Sequence, residues 1–121
     1  MHKLVILILP TGDRGFDDLW PQFLHAAERI PGLRREATSH VSRALYGSQR
    51  FEMMHELFFD SYAELERGLN SEEGVRAGQL LQQITNGRVQ LFLADHTEDD
   101  LERIRRFQGG GEHGEQPEAQ A

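Results

Sequence analysis

His40, His55 and Glu56 are the side chains best suited to proton chemistry in this chain, and they lie on two neighbouring β-compatible runs, residues 35–46 and 51–59. The runs flank Gly47, Ser48 and Gln49, a hairpin signal. Alternation along the second run places Phe51, Met53, His55, Leu57 and Phe59 on one face and Glu52, Met54, Glu56, Phe58 and Asp60 on the other. Along the first, Ala37, Ser39, Val41, Arg43 and Leu45 oppose Thr38, His40, Ser42, Ala44 and Tyr46. Matching the more apolar faces through a three-residue turn, 47–49, sets His40 across from Glu56, whereas a turn of two or four residues puts His40 on the face of His55. In the first register His40 and Glu56, with Thr38, Ser42 and Tyr46 nearby, form a polar cluster. Its carboxylate would orient the imidazole as a general base for proton abstraction beside a carbonyl. The competing reading is a hydrogen-bonded polar patch at a subunit interface, since such networks are often structural.

Other chemistries find little support. The chain has no cysteine, which removes disulfides, thiolate zinc sites, iron–sulfur clusters and cysteine nucleophiles. Among His2, His25, His40, His55, His96 and His113 no pair has the i, i+3 or i+4 spacing of a helical metal site, so neither metal nor cofactor is expected. Gly109 to Gly111 follow no strand and precede no helix, unlike a phosphate loop, and no serine sits in a G-x-S-x-G turn.

The elements that must carry these residues are legible in order. Leu4 to Leu9 is a buried strand closed by Pro10 and Gly12. Phe16, Leu19, Trp20, Phe23, Leu24, Ala27 and Ile30 recur near 3.6 residues, the stripe of an amphipathic helix stopped by Pro31 and Gly32. Pro21 fits its first turn if Asp18 is the N-cap, and otherwise kinks a helix begun at Asp17 or earlier. After the hairpin, Ser61 and Glu64 match a capping box, and a second helical start follows at Ser71, with Glu72 and Glu73 near the positive helix end. Asn86 and Gly87 end that helix, residues 88–95 form a last strand, and Thr97 with Asp100 opens a short helix over about 98–106. Residues 108–121, Gly-rich and acidic, read as a disordered tail behind one domain of residues 1–107.

The order β-α-β-β-α-β, with the second helix broken in two, predicts an α+β ferredoxin-like fold: a four-stranded antiparallel sheet with helices on one face. The first and last strands, read as the central pair, are apolar on both faces, Leu4, Ile6 and Ile8 opposing Val5, Leu7 and Leu9. Two helices cover one face only, so the other is expected to pack on a second copy, giving a homodimer with a barrel-like core.

Charge narrows the partners. Thirteen basic residues against twenty acidic give −7, of which the tail holds −3, leaving −4 on residues 1–107. Nucleic acid and anionic membrane both need a basic surface, and the sheet lacks the basic, aromatic face of an RNA-recognition fold. The apolar run after Lys3 is six residues long, too short for a signal peptide, and no stretch suits a membrane span, so a cytoplasmic protein is expected.

Four segments resemble the EthD family of the dimeric α/β-barrel superfamily: Lys3-Leu-Val-Ile-Leu7, Ile30-Pro-Gly-Leu33, Glu56-Leu-Phe-Phe-Asp-Ser61 and Asn70-Ser-Glu-Glu-Gly74. The resemblance covers roughly residues 1–96. It implies a ferredoxin-like homodimer that binds or converts a small organic molecule, as a cofactor-free oxidoreductase or isomerase; the alternative is a non-catalytic ligand-binding or accessory protein. By the same analogy His55 faces the helices, either as a core histidine or in a pocket with Trp20 and Phe23 around an aromatic or flavin-like ring. His25, Arg43 as an anion anchor and Tyr46 complete that candidate pocket. The chain departs from the family at Phe23, where a histidine is usual, and His25, two residues on, is turned by about 200° around the helix.

Overall fold

The computed structural model describes residues 1–12 and 15–101. Its elements are β1 (His2–Ile8), α1 (Phe16–Ala27), β2 (Leu33–His40), β3 (Met53–Phe59), α2 (Tyr62–Leu69), α3 (Glu72–Thr85) and β4 (Val89–Asp95). The strands form one antiparallel sheet in the order β2-β3-β1-β4, with the helices on one face. The ferredoxin-like expectation holds, and the broken second helix is α2 followed by α3. The central strands, however, are β3 and β1. β4, read from its sequence as central, is an edge strand: its inner apolar residues Leu91 and Leu93 lie beyond full helix cover and stay about half exposed.

Local sequence explains most of these boundaries. In β1 alternate residues Leu4, Ile6 and Ile8 are buried under the helices, while Val5 and Leu7 point to the half-covered outer face. α1 starts at Phe16 behind Gly15 with no side-chain cap, so Pro21 lies inside the helix, on its exposed side. Ser61 caps α2 by accepting from the Glu64 N–H at 3.2 Å, while the Glu64 carboxylate pairs with Arg67. Ser71 joins the two helices, accepting from the Gly74 N–H at 3.0 Å and donating to the Gly68 carbonyl at 2.6 Å. α3 ends at Asn86, which takes the left-handed conformation at φ 53°. Between sheet and helices, Phe23, Ala27, Leu57, Phe59, Leu65, Leu81 and Ile84 close the core.

The hairpin departs most from expectation. β2 ends at His40 and β3 begins at Met53, joined by an almost wholly exposed connection, 41–52, in which Leu45 is 85% and Tyr46 99% exposed. One further bond, Val41 N–H to the Glu52 carbonyl at 2.9 Å, closes the ladder. Beyond it residues 42–50 are all exposed, so extending the strands would bury little.

After β4, residues 96–100 are irregular and turn over the outer face of the sheet. Phe58, on that face, is buried between the Arg35 guanidinium, 3.9 Å from the ring centroid, and the edge of His96. Glu98 accepts from Arg35 at 2.8 Å and pairs with His96 at 2.9 Å. The His96 hydrogen bond, followed by the Arg35 charge, holds the Glu98 carboxyl below its ordinary value. The helix expected over about 98–106 and the tail 108–121 lie, from residue 102 on, outside the described residues. Among the described residues no helix is long and apolar enough to cross a membrane.

Candidate functional site

The register separates the residues paired by the sequence reading. His40 stands opposite Met53, Thr38 opposite His55 and Ala37 opposite Glu56. His40 therefore shares the helix-side face with His55, and Glu56 lies on the outer face, paired with Lys3. The His40–Glu56 base pair is not formed. Matching apolar faces failed because β2 is an edge strand whose helix-side residues, Glu36, Thr38 and His40, are polar.

His55 has other partners. It is 1% exposed, with Nδ1 2.8 Å from Thr38 Oγ1 and Nε2 3.1 Å from Glu36 Oε2. An ionised Glu36 accepts only, so Nε2–H donates to it and Nδ1 is left to accept from the Thr38 hydroxyl. The rings of Trp20 and Phe23 meet the imidazole edge-on, at centroid distances of 5.3 and 5.9 Å. Water reaches Thr38 and the half-buried Glu36 but not the ring. Glu36 was not legible as a site residue; its i, i+2 spacing to Thr38 gains meaning only once Thr38 is set against His55.

The other residues expected in one pocket fall in three places. Trp20 and Phe23 are core, packed on His55. Arg43 and Tyr46, with His40, line a hollow of about 850 Å³ under the 41–52 connection. His25 faces a groove between α1 and α3. Among the described residues no three His, Asp or Glu side chains are grouped to hold a metal ion.

A separate apolar cavity of about 260 Å³ lies between sheet and helices. Leu4, Ile6 and Leu91 form its floor, Ala77, Gly78 and Leu81 of α3 its roof, and Phe23 closes one end. Among the described residues no titratable side chain lines it. Val75 and Leu91, each about half exposed, mark its mouth along the β4 edge. Phe23 touches both the cavity and the His55 ring, so it is the wall between them. A histidine at this position, as in the family pattern, would have put a titratable group in that wall.

No family model matches the chain, and no curated protein matches it. Solved structures do. An ethyl tert-butyl ether degradation (EthD) family protein from Bacillus halodurans aligns with a TM-score of 0.72 at 21% identity, over 80% of this chain and 99% of that one. A dimeric ferredoxin-like protein of unknown function from Jannaschia sp. CCS1 aligns at 0.63 and 17% identity, over 78% and 98%. SnoaB, a cofactor-independent oxygenase from Streptomyces nogalater, aligns at 0.55 and 10% identity, over 81% and 93%. The family resemblance read from short sequence segments thus meets an EthD family structure of the same ferredoxin-like fold, and what the chain shares with all three proteins is that fold.

Proposed function

We propose that this chain is a homodimeric binding protein for a small, neutral, apolar organic molecule held in the cavity between β4 and α3. The observation that carries this reading is the cavity wall: among the described residues its side chains are all apolar, and Phe23, which lines it, stands against the buried imidazole. A cavity of ~150 Å³ already takes benzene, so this one has room for a bicyclic ring. Homodimerisation is supported by the half-covered outer face of the sheet and by the dimeric neighbours of the same fold. A cytoplasmic address belongs to the same reading.

The test is thermal-shift titration with indole, naphthalene and toluene. The expected result is a concentration-dependent rise in Tm that Gly78→Leu, which adds a side chain at the roof of the cavity, abolishes. No rise with any of them, or an undiminished rise in the variant, would overturn the reading. The likeness to an oxygenase supplies a second reading, conversion of the bound molecule. His55 is the one buried titratable side chain among the described residues, so turnover would require it to reach the cavity. Phe23→Ala removes the partition; conversion of a bound probe by this variant, lost again in Phe23→Ala/His55→Gln, would favour that reading.

A further inference from the structure

The groove between α1 and α3 has a different chemistry from the cavity. It encloses about 600 Å³, within the range of small-molecule sites. Pro21, Ala26 and Leu80 give it an apolar lining, and Arg29, in the turn that follows α1, and Arg76 of α3 both line it. Arg29 Nη2 donates to His25 Nε2 at 3.2 Å, which steadies the guanidinium against the end of α1. Among the described residues neither arginine has an acidic partner within 4.0 Å. Both guanidiniums are therefore open to an external anion, in a chain whose carboxylates outnumber its cations. Glu73, also on the groove, is free of any cation in the same sense.

We propose that this groove is a second ligand site, separate from the apolar cavity, for a small organic monoanion with an apolar body, such as an aromatic or short aliphatic carboxylate. The two guanidiniums supply fork-shaped donors suited to a carboxylate, and the proline, alanine and leucine surface takes the ring or chain. Two guanidiniums against one carboxylate leave the groove at +1 with His25 neutral. It therefore matches one negative charge, and Glu73 disfavours a dianion. Glu73 is the specificity residue of the site.

Calorimetric titration of the full chain with benzoate, phenyl phosphate, benzyl alcohol and inorganic phosphate tests this, with side-chain NMR of His25 and the arginine Nε–H groups to locate the binding. Benzoate is expected to bind, to shift the His25 and Arg29 signals, and to lose at least tenfold in affinity in Arg29→Gln and in Arg76→Gln. Glu73→Gln is expected to tighten benzoate and to admit phenyl phosphate, a gain that damage to the fold would not produce. Gly78→Leu should leave benzoate binding intact, which separates this site from the apolar cavity. The proposal fails if benzyl alcohol or inorganic phosphate binds as well as benzoate, if neither arginine variant weakens it, or if the perturbed signals lie elsewhere.

Discussion

His55 stands where the sheet gives a polar edge to an otherwise apolar layer, and its two hydrogen bonds explain why an imidazole is tolerated there. Both nitrogens are occupied, so the ring acts first as a post between β2, β3 and α1. Its removal should therefore be costly for a structural reason. His55→Ala leaves the Glu36 carboxylate and the Thr38 hydroxyl without their partner and opens a void under Trp20, which together should destabilise by about 2–4 kcal/mol. Thr38→Val, which leaves only Nδ1 of the buried ring without its donor, should cost about 1–2 kcal/mol. Urea unfolding of the two variants measures both, and a His55→Ala loss below that of Thr38→Val would refute the post. The residue types were legible: His55, Trp20 and Phe23 could be assigned to one helix-facing layer from periodicity and resemblance. Their polar partners were not, because hydrogen bonds across a sheet depend on register, and register depends on where the hairpin turns.

Register was legible only where burial constrains it. β1 and the helices carry strong apolar stripes, so their faces follow from spacing alone. β2 carries Arg34, Arg35, Glu36, Thr38, Ser39 and His40 around a single alanine, and an edge strand of that composition has no stripe to align. The connection 41–52 kept β-compatible residues such as Val41, Leu45 and Tyr46, but with no layer to cover them they remain exposed. The α2–α3 corner shows the opposite case, a constraint set by close approach. A Cβ at Gly74 would lie 2.2 Å from the Gly68 carbonyl oxygen and 2.7 Å from that of Leu69, whereas one at Gly78, a turn further on, would meet nothing within 4 Å. Gly74→Ala is accordingly expected to cost more than about 2 kcal/mol, because backbone on both sides must shift. Gly78→Ala should instead stabilise by about 0.5–1 kcal/mol through helix propensity. Thermal and urea denaturation of the two single variants should move in opposite directions; the same sign for both would contradict the packing at this corner.

At the scale of the whole molecule, the apolar content exceeds what one copy covers. Val5 and Leu7 of the central strand are only half-buried, and Phe92 on β4 is 50% exposed on the same outer face. The segment 96–98 shields Phe58 at one end of that face and leaves the rest open. Lys3 and Glu56 pair in its midst with side chains only 16% and 13% exposed, so a partner could settle over them without stranding a lone charge. The mistaken placement of β4 at the sheet centre did not disturb this inference, because the unsatisfied face belongs chiefly to β1, which is central. A stable pair buries roughly 1,200–2,000 Å², and the outer face is where two copies of this chain would have to supply it. Leu7→Glu places a carboxylate on the middle strand of the face, and Phe92→Glu removes its most exposed ring while adding charge. Each should weaken self-association by about 100-fold, close to 3 kcal/mol, with the circular dichroism spectrum of the fold retained. Sedimentation at micromolar concentration should show the unaltered chain and Arg76→Gln, on the helix side, at twice the monomer mass, and both glutamate variants at the monomer mass. A monomeric unaltered chain, or a dimer indifferent to both substitutions, would mean that the outer face is not what the second copy covers.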